Sequence, residues 1–402
     1  MILSDICEFI VDCPHTTAKD EGQGYPLIRT PNIGKGRLIL NDVHRVSEAV
    51  YNNRNFRAVP QDDDLIFARE APAGNVAIIK NGEKVCLGQR TVLLRPDKSM
   101  VDPNYLVYYL LAPNQQYKLL GSANGATVAH VNLPIIRNLL VDLPDIEKQR
   151  KIANTLSAHD DLIENNQKQI KLLEEAAKRL YKEWFVDLRF PGHENTPIVD
   201  GMPQRWRKSV FSDVFTFVRG KSYTSRELSE NDGVLMVNLK NIRAYGGYKR
   251  NAEKRFTGAY KEEQLLVGGD VVMGATDMTQ ERRLVGHVAL IPSFNEKVTF
   301  SMDLIKLMPF SVSKNYLYCA LQYGGYSEQI APLANGVNVL HLKPEAMMKM
   351  EILVPDEVTM QTFDAQFEAM RLKIEALEKQ CDLAAQARDR LLPKLMSGEI
   401  EV

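Results

Sequence analysis

Paired cysteines are missing from this sequence, and so are long apolar runs. The five cysteines are scattered and none belongs to a Cys-x-x-Cys pair, which argues against a disulfide framework and a cysteine zinc site. The seven histidines include no i, i+4 pair that could clamp a metal ion, so we expect no metal site. No uncharged apolar run approaches membrane-spanning length, and no basic stretch precedes the first apolar residues. We therefore expect a cytoplasmic protein with reduced thiols and no membrane partner.

Net charge is nearly absent as well. The chain has 50 Lys and Arg against 51 Asp and Glu, a formal net charge of −1, which weighs against a protein that binds a polyelectrolyte over its whole surface.

The length of 402 residues and the hydrophobic content of 45% allow two or three domains, each with its own hydrophobic core.

Proline and glycine are absent from two long segments, residues 145–190 and 356–392. In both, mostly apolar residues recur at alternating spacings of four and three, which is typical of a coiled coil. In the first segment these positions are Ile152, Leu156, His159, Ile163, Asn166, Ile170, Leu173, Ala177, Leu180 and Trp184. In the second they are Phe363, Phe367, Met370, Ile374, Leu377, Cys381, Ala384, Arg388, Leu391 and Leu395.

The chain also repeats itself after about 210 residues. The motif Leu3-Ser4-Asp5-Ile6-x-x-Phe9-Ile10 returns as Phe211-Ser212-Asp213-Val214-x-x-Phe217-Val218, and Asn104-Tyr105-Leu106 returns as Asn315-Tyr316-Leu317. Asn124-Gly125 with His130 returns as Asn335-Gly336 with His341, and Pro144 and Pro355 each open a long helix. A globular unit and a helix were therefore copied together, a design suited to gripping something at two places.

Each long helix could lie on its own domain, or the two could pack on each other. Two coiled-coil segments in one chain favour the second arrangement, because each supplies the partner that the other needs. The pair would be antiparallel, with one globular unit at each end, and about 38 helical residues span on the order of 55 Å. Polar His159 and Asn166 would then fix the register or contact a partner subunit.

The globular units are expected to be mixed α/β. Short β-rich runs, such as those at residues 76–79, 91–94, 271–273 and 288–291, are separated by turn residues. Short helices are predicted at residues 104–111 and 315–322, and the matched Ser4-Asp5 and Ser212-Asp213 are interpreted as helix caps. The predicted division is a first globular domain at 1–145, a first long helix at 146–187, a linker at 188–208, a second globular domain at 209–355, and a second long helix with tail at 356–402.

No catalytic motif stands out. An aminomethyltransferase needs an Asn/Asp-Pro-Pro-Tyr/Phe motif and a glycine-rich cofactor loop, and Asp102-Pro103-Asn104-Tyr105 lacks the second proline. Gly220-Lys221-Ser222 ends like a phosphate-binding loop, but the required upstream glycine is Phe215. We therefore predict a chain that is not an enzyme and binds no cofactor.

Local clusters of basic and amide side chains suit DNA, because phosphates attract Lys and Arg while base edges pair with forked or amide groups. Between Arg219 and Arg255 there are nine basic and four acidic residues. The candidate DNA-binding residues of the first copy are Arg29, Thr30, Asn32, Lys35, Arg37, Arg69, Gln89 and Arg90. Those of the second copy are Lys221, Lys240, Asn241, Arg243, Tyr245, Lys249, Arg250, Thr276, Gln280, Arg282 and Arg283. Each Asn-Gly with its following histidine is interpreted as a structural turn, with DNA contact as the alternative.

Over its full length the chain resembles the specificity subunits of type I restriction–modification systems. The strongest motifs are the first helix start, Leu143-Pro144 with Gln149-Arg150-x-Ile152-Ala153, its end, Leu180-Tyr181-Lys182-x-Trp184-Phe185-Val186-Asp187, and the terminus, Leu391-Leu392-Pro393-Lys394-Leu395-Met396-Ser397-Gly398-Glu399-Ile400. At the second helix start, Gln361-Thr362-Phe363 replaces the Gln-Arg-x-Ile pattern.

The resemblance implies two target recognition domains, held apart by the helical pair, that each read one half of a split sequence in double-stranded DNA. It also implies two modification subunits that methylate adenine with S-adenosylmethionine, and restriction subunits that translocate and cut DNA, so that ATP and Mg²⁺ belong to partners. The alternatives are a coiled-coil adaptor that binds only proteins and, least favoured, a self-contained DNA-modifying enzyme.

Overall fold

A computed structural model describes residues 1–80, 82–121 and 130–402, and the chain divides into two compact units. Unit 1 comprises Met1–Gln167 with Glu378–Val402, and unit 2 comprises Lys168–Leu377, so each long helix contributes to both units. None of the helices within the described residues combines the length and apolar character needed to cross a membrane.

Unit 1 is built on an antiparallel sheet that carries one parallel edge strand. The strands are β1 Cys7–Asp12, β2 Tyr25–Ile28, β3 Gly36–Arg37, β4 Arg45–Val46, β5 Leu65–Ala68, β6 Val76–Ile78, β7 Cys86–Leu87 and β8 Thr91–Pro96. The main sheet has the order β1-β8-β5-β6-β3, and β4-β2-β7 form a second sheet. The helices are α1 Glu48–Arg54, α2 Pro103–Leu111, α3 Pro113–Gly121, α4 Leu133–Arg137 and the first long helix, α5 Ile146–Tyr181.

Unit 2 repeats this frame. Its strands are β9 Ile198–Val199, β10 Met202–Pro203, β11 Arg207–Val210, β12 Phe215–Arg219, β13 Leu228–Ser229, β14 Val234–Val237, β15 Lys254–Phe256, β16 Leu265–Leu266, β17 Val271–Gly274, β18 Thr276–Asp277, β19 Val288–Leu290, β20 Val298–Phe300, β21 Leu304–Pro309, β22 Leu340–His341 and β23 Glu351–Val354. The order β12-β21-β17-β19 matches β1-β8-β5-β6 of unit 1, and a second sheet has the order β13-β15-β14-β20-β16. The helices are α6 Lys314–Tyr323, α7 Tyr326–Ile330, α8 Pro344–Met347 and the second long helix, α9 Glu357–Ser397.

Both long helices begin after a proline and an aspartate. The Asp145 carboxylate accepts from the Lys148 amide at 2.9 Å, and Asp356 accepts from the Thr359 amide at 3.1 Å, so each caps the first turn. Burial opposes ionisation of Asp356, but hydrogen bonds from Thr359 and Trp206 stabilise the carboxylate and hold its pKa below the ordinary value.

Two hydrogen bonds hold the side chain of Gln149 at the start of α5, and they account for the glutamine in the Gln149-Arg150-x-Ile152-Ala153 motif. The side chain of Gln149 is buried, accepts from the Asp102 amide at 2.9 Å and donates to the Pro144 carbonyl at 2.8 Å. At the corresponding place in unit 2 the Ser313 amide lies 3.1 Å from the Met360 sulfur. The repeat therefore aligns Met360, and not Gln361, with Gln149, and a thioether replaces the amide.

The long helices pair antiparallel inside each unit. In unit 1, Asn166 of α5 donates to Gln380 of α9 at 3.1 Å, while Asp160 pairs with Arg388, so residue numbers rise along one helix as they fall along the other. In unit 2, the Phe363 ring of α9 lies 6.4 Å from the ring of Tyr181, the last residue of α5, and also packs against Trp184 and Phe185 in the π-helical turn Lys182–Val186 that follows. The predicted antiparallel pairing is confirmed.

The polar residues of the helix pair differ partly from the prediction. Asn166 is buried and paired, as expected. His159 is only half-buried and contacts its own helix through the Thr155 carbonyl at 2.9 Å, whereas its neighbour Asp160 is buried. The buried face of α5 is thus rotated by one residue at this level.

Two further expectations concern short segments. Ser4-Asp5 lies on a 3-10 helix, where the Asp5 carboxylate accepts from the Ile2 amide at 2.8 Å, so the capping interpretation holds for the first copy. In the second copy, the Ser212 hydroxyl contacts Asp213 and no side-chain cap forms. Residues 188–208, expected as a linker, place Phe190 and Trp206 in the core of unit 2.

Candidate nucleic-acid interface

The candidate DNA-binding residues fall into buried and accessible groups. Thr30, Asn32, Arg69, Asn241 and Thr276 are buried. Arg29, Arg37, Gln89, Lys221, Arg250 and Arg282 are half-buried, and Lys35, Arg90, Lys240, Arg243, Tyr245, Lys249, Gln280 and Arg283 are exposed. We remove the buried five from the candidates, because each would need to leave a packed position in order to reach a base or a phosphate.

The buried amides have clear structural partners. Asn32 accepts from the Arg29 amide at 3.2 Å and donates to the Ile39 carbonyl at 3.2 Å. Asn241 accepts from the Asn238 amide at 3.0 Å and donates to the Lys249 carbonyl at 3.0 Å. Both asparagines close a 3-10 turn at the same place in the two copies, which is the reason for their matched positions.

Unit 1 has a charged network around the loop that follows β5. Arg69 donates to both Asp12 carboxylate oxygens, at 2.9 and 3.2 Å, and to the Val131 carbonyl at 3.0 Å. Glu70 pairs with Arg90 at 2.7 Å and with the His130 ring at 2.6 Å. Arg90 is 60% exposed along its side chain, so among these groups it is the cation that remains accessible to an anion.

Lys35 and Arg37 lie elsewhere in unit 1, against the long helices. Arg37 pairs with Asp161 of α5 at 2.7 Å, and Arg388 of α9 lies 3.4 Å from the Lys35 carbonyl. Burial disfavours the Arg37 cation, but neighbouring groups, including the hydrogen-bonded Asp161 and nearby Asp160, more than compensate and raise its pKa. The structure therefore does not bring these two residues together with Arg90.

Unit 2 has a corresponding position with different chemistry. Strand registers align Ala68 with Gly274 and Thr91 with Leu304, so Glu70 corresponds to Thr276, and Arg90 to Asp303. The Glu70–Arg90 ion pair of unit 1 is replaced by a hydrogen bond from the Thr276 hydroxyl to Asp303 at 3.1 Å. The two copies share a frame but present different side chains at the same place.

The repeated histidines confirm this alignment. His130 contacts Glu70, and His341 pairs with Thr276 across a short antiparallel ladder. Asn335 and His341 exchange backbone hydrogen bonds of 3.0 and 2.9 Å, so the second Asn-Gly segment closes a loop, as a structural turn requires. Its first copy, Ala123-Asn124-Gly125, lies outside the described residues.

A buried aspartate organises the loop after β18. The carboxylate of Asp277 accepts from the amides of Thr279 at 2.8 Å and Leu284 at 2.7 Å, and also from the Val285 amide and the Thr279 hydroxyl. Burial opposes ionisation, but these donors outweigh it and lower the pKa of Asp277 below its ordinary value. The loop between Thr279 and Leu284 is therefore fixed at both ends by one side chain.

Substitution of Asp277 by asparagine is expected to reduce the free energy of unfolding by about 2 kcal/mol, because buried amide donors lose a charged acceptor. The folded pKa lies below the unfolded value, so this stabilisation is present above the ordinary pKa and disappears as pH falls through the folded pKa. Urea unfolding at neutral and strongly acidic pH measures it. The difference between wild type and variant should shrink on acidification, and a pH-independent difference would contradict the assignment.

One group in the described part of the chain has the composition of a metal site. Ligand atoms of Asp12, Cys13 and His15 lie within 4.8 Å of one another. Both oxygens of Asp12 accept from Arg69, whose cation would repel a metal ion at this position. The donor set does not fit a metal, and we assign Asp12 to the Arg69 ion pair.

Comparisons with known proteins agree with this geometry. Residues 1–175 match the family model described as type I restriction modification DNA specificity domain. The type I restriction enzyme MjaIX specificity subunit of Methanocaldococcus jannaschii is 26% identical over 376 residues, which cover 89% of this chain and 82% of that protein. The putative MjaX specificity subunit of the same organism is 24% identical over 412 residues, covering 100% and 93%.

A solved structure supports the fold. The type I restriction–modification S subunit from M. genitalium superposes with a TM-score of 0.55 at 17% identity, covering 96% of this chain and 93% of that one. The repeated sheet frame and the paired long helices define a duplicated mixed α/β protein. The chain is similar in sequence to type I restriction–modification specificity subunits, as its motifs indicate, and the predicted fold class is confirmed.

Proposed function

We propose that this chain is the DNA-recognition subunit of a type I restriction–modification complex and reads a bipartite, asymmetric target with its two units. The observation that carries the proposal is the repeated frame with unlike side chains at equivalent positions. Glu70 and Arg90 occupy the places that Thr276 and Asp303 hold in the other copy. Two readers that share a scaffold but differ in chemistry would recognise two different half-sites.

The proposal leaves the chemistry to partner subunits. The sequence lacks an Asn/Asp-Pro-Pro-Tyr/Phe motif, so adenine methylation with S-adenosylmethionine is assigned to two modification subunits. DNA translocation and cleavage, with ATP and Mg²⁺, are assigned to restriction subunits. A location in the cytoplasm follows from this role and stays a prediction. The chain itself would act by binding DNA and positioning those partners.

Exchange of one recognition unit tests the proposal. The exchanged segment should be 207–354, because β11 pairs with β23 along the whole of both strands, and a cut inside either would break that ladder. A chimera that carries the corresponding segment of a relative is co-expressed with the modification subunits, and methylated adenines are mapped across the genome. One half of the recognised sequence should change completely while the other half stays unchanged.

A continuous palindromic methylation motif for the wild-type chain would contradict bipartite reading. The same complex also distinguishes the adaptor alternative, because phosphate contacts make DNA affinity fall steeply with salt concentration. A complex whose binding to duplex DNA shows no salt dependence would favour a protein-binding adaptor.

A further inference from the structure

Three loops of unit 2 meet at one place, and we call them the loop cluster: residues 242–248, 277–285 and 335–341. The Tyr245 amide donates to the Arg283 carbonyl at 2.8 Å, which joins the first loop to the second. The Gln280 side-chain amide donates to the Val337 carbonyl at 2.8 Å, which joins the second to the third. Residues far apart in the sequence thus form one surface.

Each loop of the cluster has its backbone held in place. Tyr245 adopts a left-handed φ of 64°, and its carbonyl accepts from Gln322 at 2.9 Å while its ring packs edge-on against buried His287 at 5.6 Å. Arg282 also has a left-handed φ, 53°, inside the loop that Asp277 organises. Non-glycine residues hold this conformation only where surrounding contacts enforce it, and such positions concentrate at binding sites.

The side chains at the tips of these held loops are exposed and chemically varied. Tyr245 is 60% exposed, Met278 77% and Val337 88%, and the side chains of Gln280 and Arg283 are also accessible. Large apolar groups on fixed, solvent-facing loops indicate a contact surface for a partner. Because the backbone is already ordered, contact would require little further loss of conformational entropy.

We propose that the loop cluster reads base edges in the DNA half-site recognised by unit 2, an inference that rests on the proposed function. Arg283 matches the paired acceptors of guanine, Gln280 matches the donor and acceptor of adenine, and Met278 and Val337 suit the methyl group of thymine. Arg283 pairs with exposed Glu281 at 2.8 Å in the free protein, a contact that a guanine would replace.

Phosphate contacts fall to a different set of residues. Lys240 and Lys249 are exposed on the segment that leads into and out of the first loop, and no acidic residue occurs between Asn238 and Ala252. Lys240 and Lys249 thus form a positively charged strip beside the polar and apolar side chains of the loop cluster. In a DNA-binding surface, phosphate contacts from such a strip fix the position of the protein, and contacts from the loops determine which base sequence is recognised.

The test compares three variants in the complex with the modification subunits. Arg283→Ala removes a base contact and leaves the Gln280–Val337 link between the loops intact, Lys240→Ala with Lys249→Ala removes phosphate contacts, and Arg226→Ala is a matched control at an exposed arginine outside the loop cluster. Methylation motifs are mapped, and DNA affinity is measured against salt concentration, with melting temperatures to verify folding.

The base-contact variant should lose discrimination at positions of one half-site by roughly 5- to 150-fold per contact, while the other half-site is unchanged. The phosphate variant should bind all sequences more weakly and lose about 0.9 of salt slope for each contact removed. A folded base-contact variant that keeps both half-sites intact would overturn the inference and leave the proposed function standing. A wild-type complex without a bipartite motif would instead remove the proposed function.

Discussion

Replacement of Asp160 by alanine is expected to lower the free energy of unfolding by about 3 kcal/mol, because it leaves a buried cation without its main partner. The Asp160 side chain is 3% exposed, pairs with Arg388 and accepts from the Tyr108 hydroxyl at 2.6 Å. Arg388 keeps its contacts to Asp389 at 2.8 Å and to the Lys35 carbonyl at 3.4 Å, which places the expected value at the lower end for broken buried pairs. Urea unfolding followed by far-UV circular dichroism measures the effect.

The neighbouring residue supplies a matched control. Asp161 pairs with Arg37 through a side chain that is 59% exposed, so Asp161→Ala should reduce the unfolding free energy by less than about 1 kcal/mol. Replacement of both Asp160 and Arg388 by leucine should restore much of the stability, because no buried charge is then left unpaired. Equal effects of Asp160→Ala and Asp161→Ala would contradict a buried ion pair.

The second large effect is expected at Phe363, where alanine should reduce the free energy of unfolding by about 3–5 kcal/mol. Phe363 is fully buried at the start of α9, and its ring lies 4.9 Å from Phe185, 5.9 Å from Trp184 and 6.0 Å from Phe367. The loss combines the buried apolar area with the cavity left among these rings. Urea unfolding of the full chain measures it.

Val358 on the same helix is 68% exposed, so Val358→Ala is the control and should change the unfolding free energy by less than about 0.5 kcal/mol. A Phe363→Ala variant as stable as this control would mean that the two long helices do not depend on their aromatic contact in unit 2.

The elements of this fold were predictable because they depend on local patterns. The strands at residues 76–78, 91–96, 271–274 and 288–290 coincide with predicted β-rich runs, and α2 and α6 lie at the predicted short helices. Turn residues, apolar alternation and the four-three spacing act over a few residues each. Because the globular unit and its helix occur twice, each pattern in one copy is supported by the corresponding pattern in the other.

The candidate site was less predictable, because burial is decided by packing. Lys240 and Asn241 are adjacent and equally polar in sequence, yet one is exposed and the other is fully buried in a turn. Arg388 lies at a four-three position of the second long segment, but the sequence cannot favour Asp160 over His159 as its partner, because that choice depends on the rotation of α5. No sequence pattern indicates that Tyr245 contacts Arg283, or that Met278 and Val337 are exposed.

Both tryptophans of this chain lie in unit 2, which determines what a fluorescence measurement can report. Trp184 and Trp206 belong to the same aromatic cluster of unit 2, and each is 5% exposed. Tryptophan fluorescence therefore reports on the folding of unit 2 only. A fluorescence melting curve would detect the loss of stability caused by Phe363→Ala directly, whereas the effect of Asp160→Ala in unit 1 needs a signal from the whole backbone, such as far-UV circular dichroism.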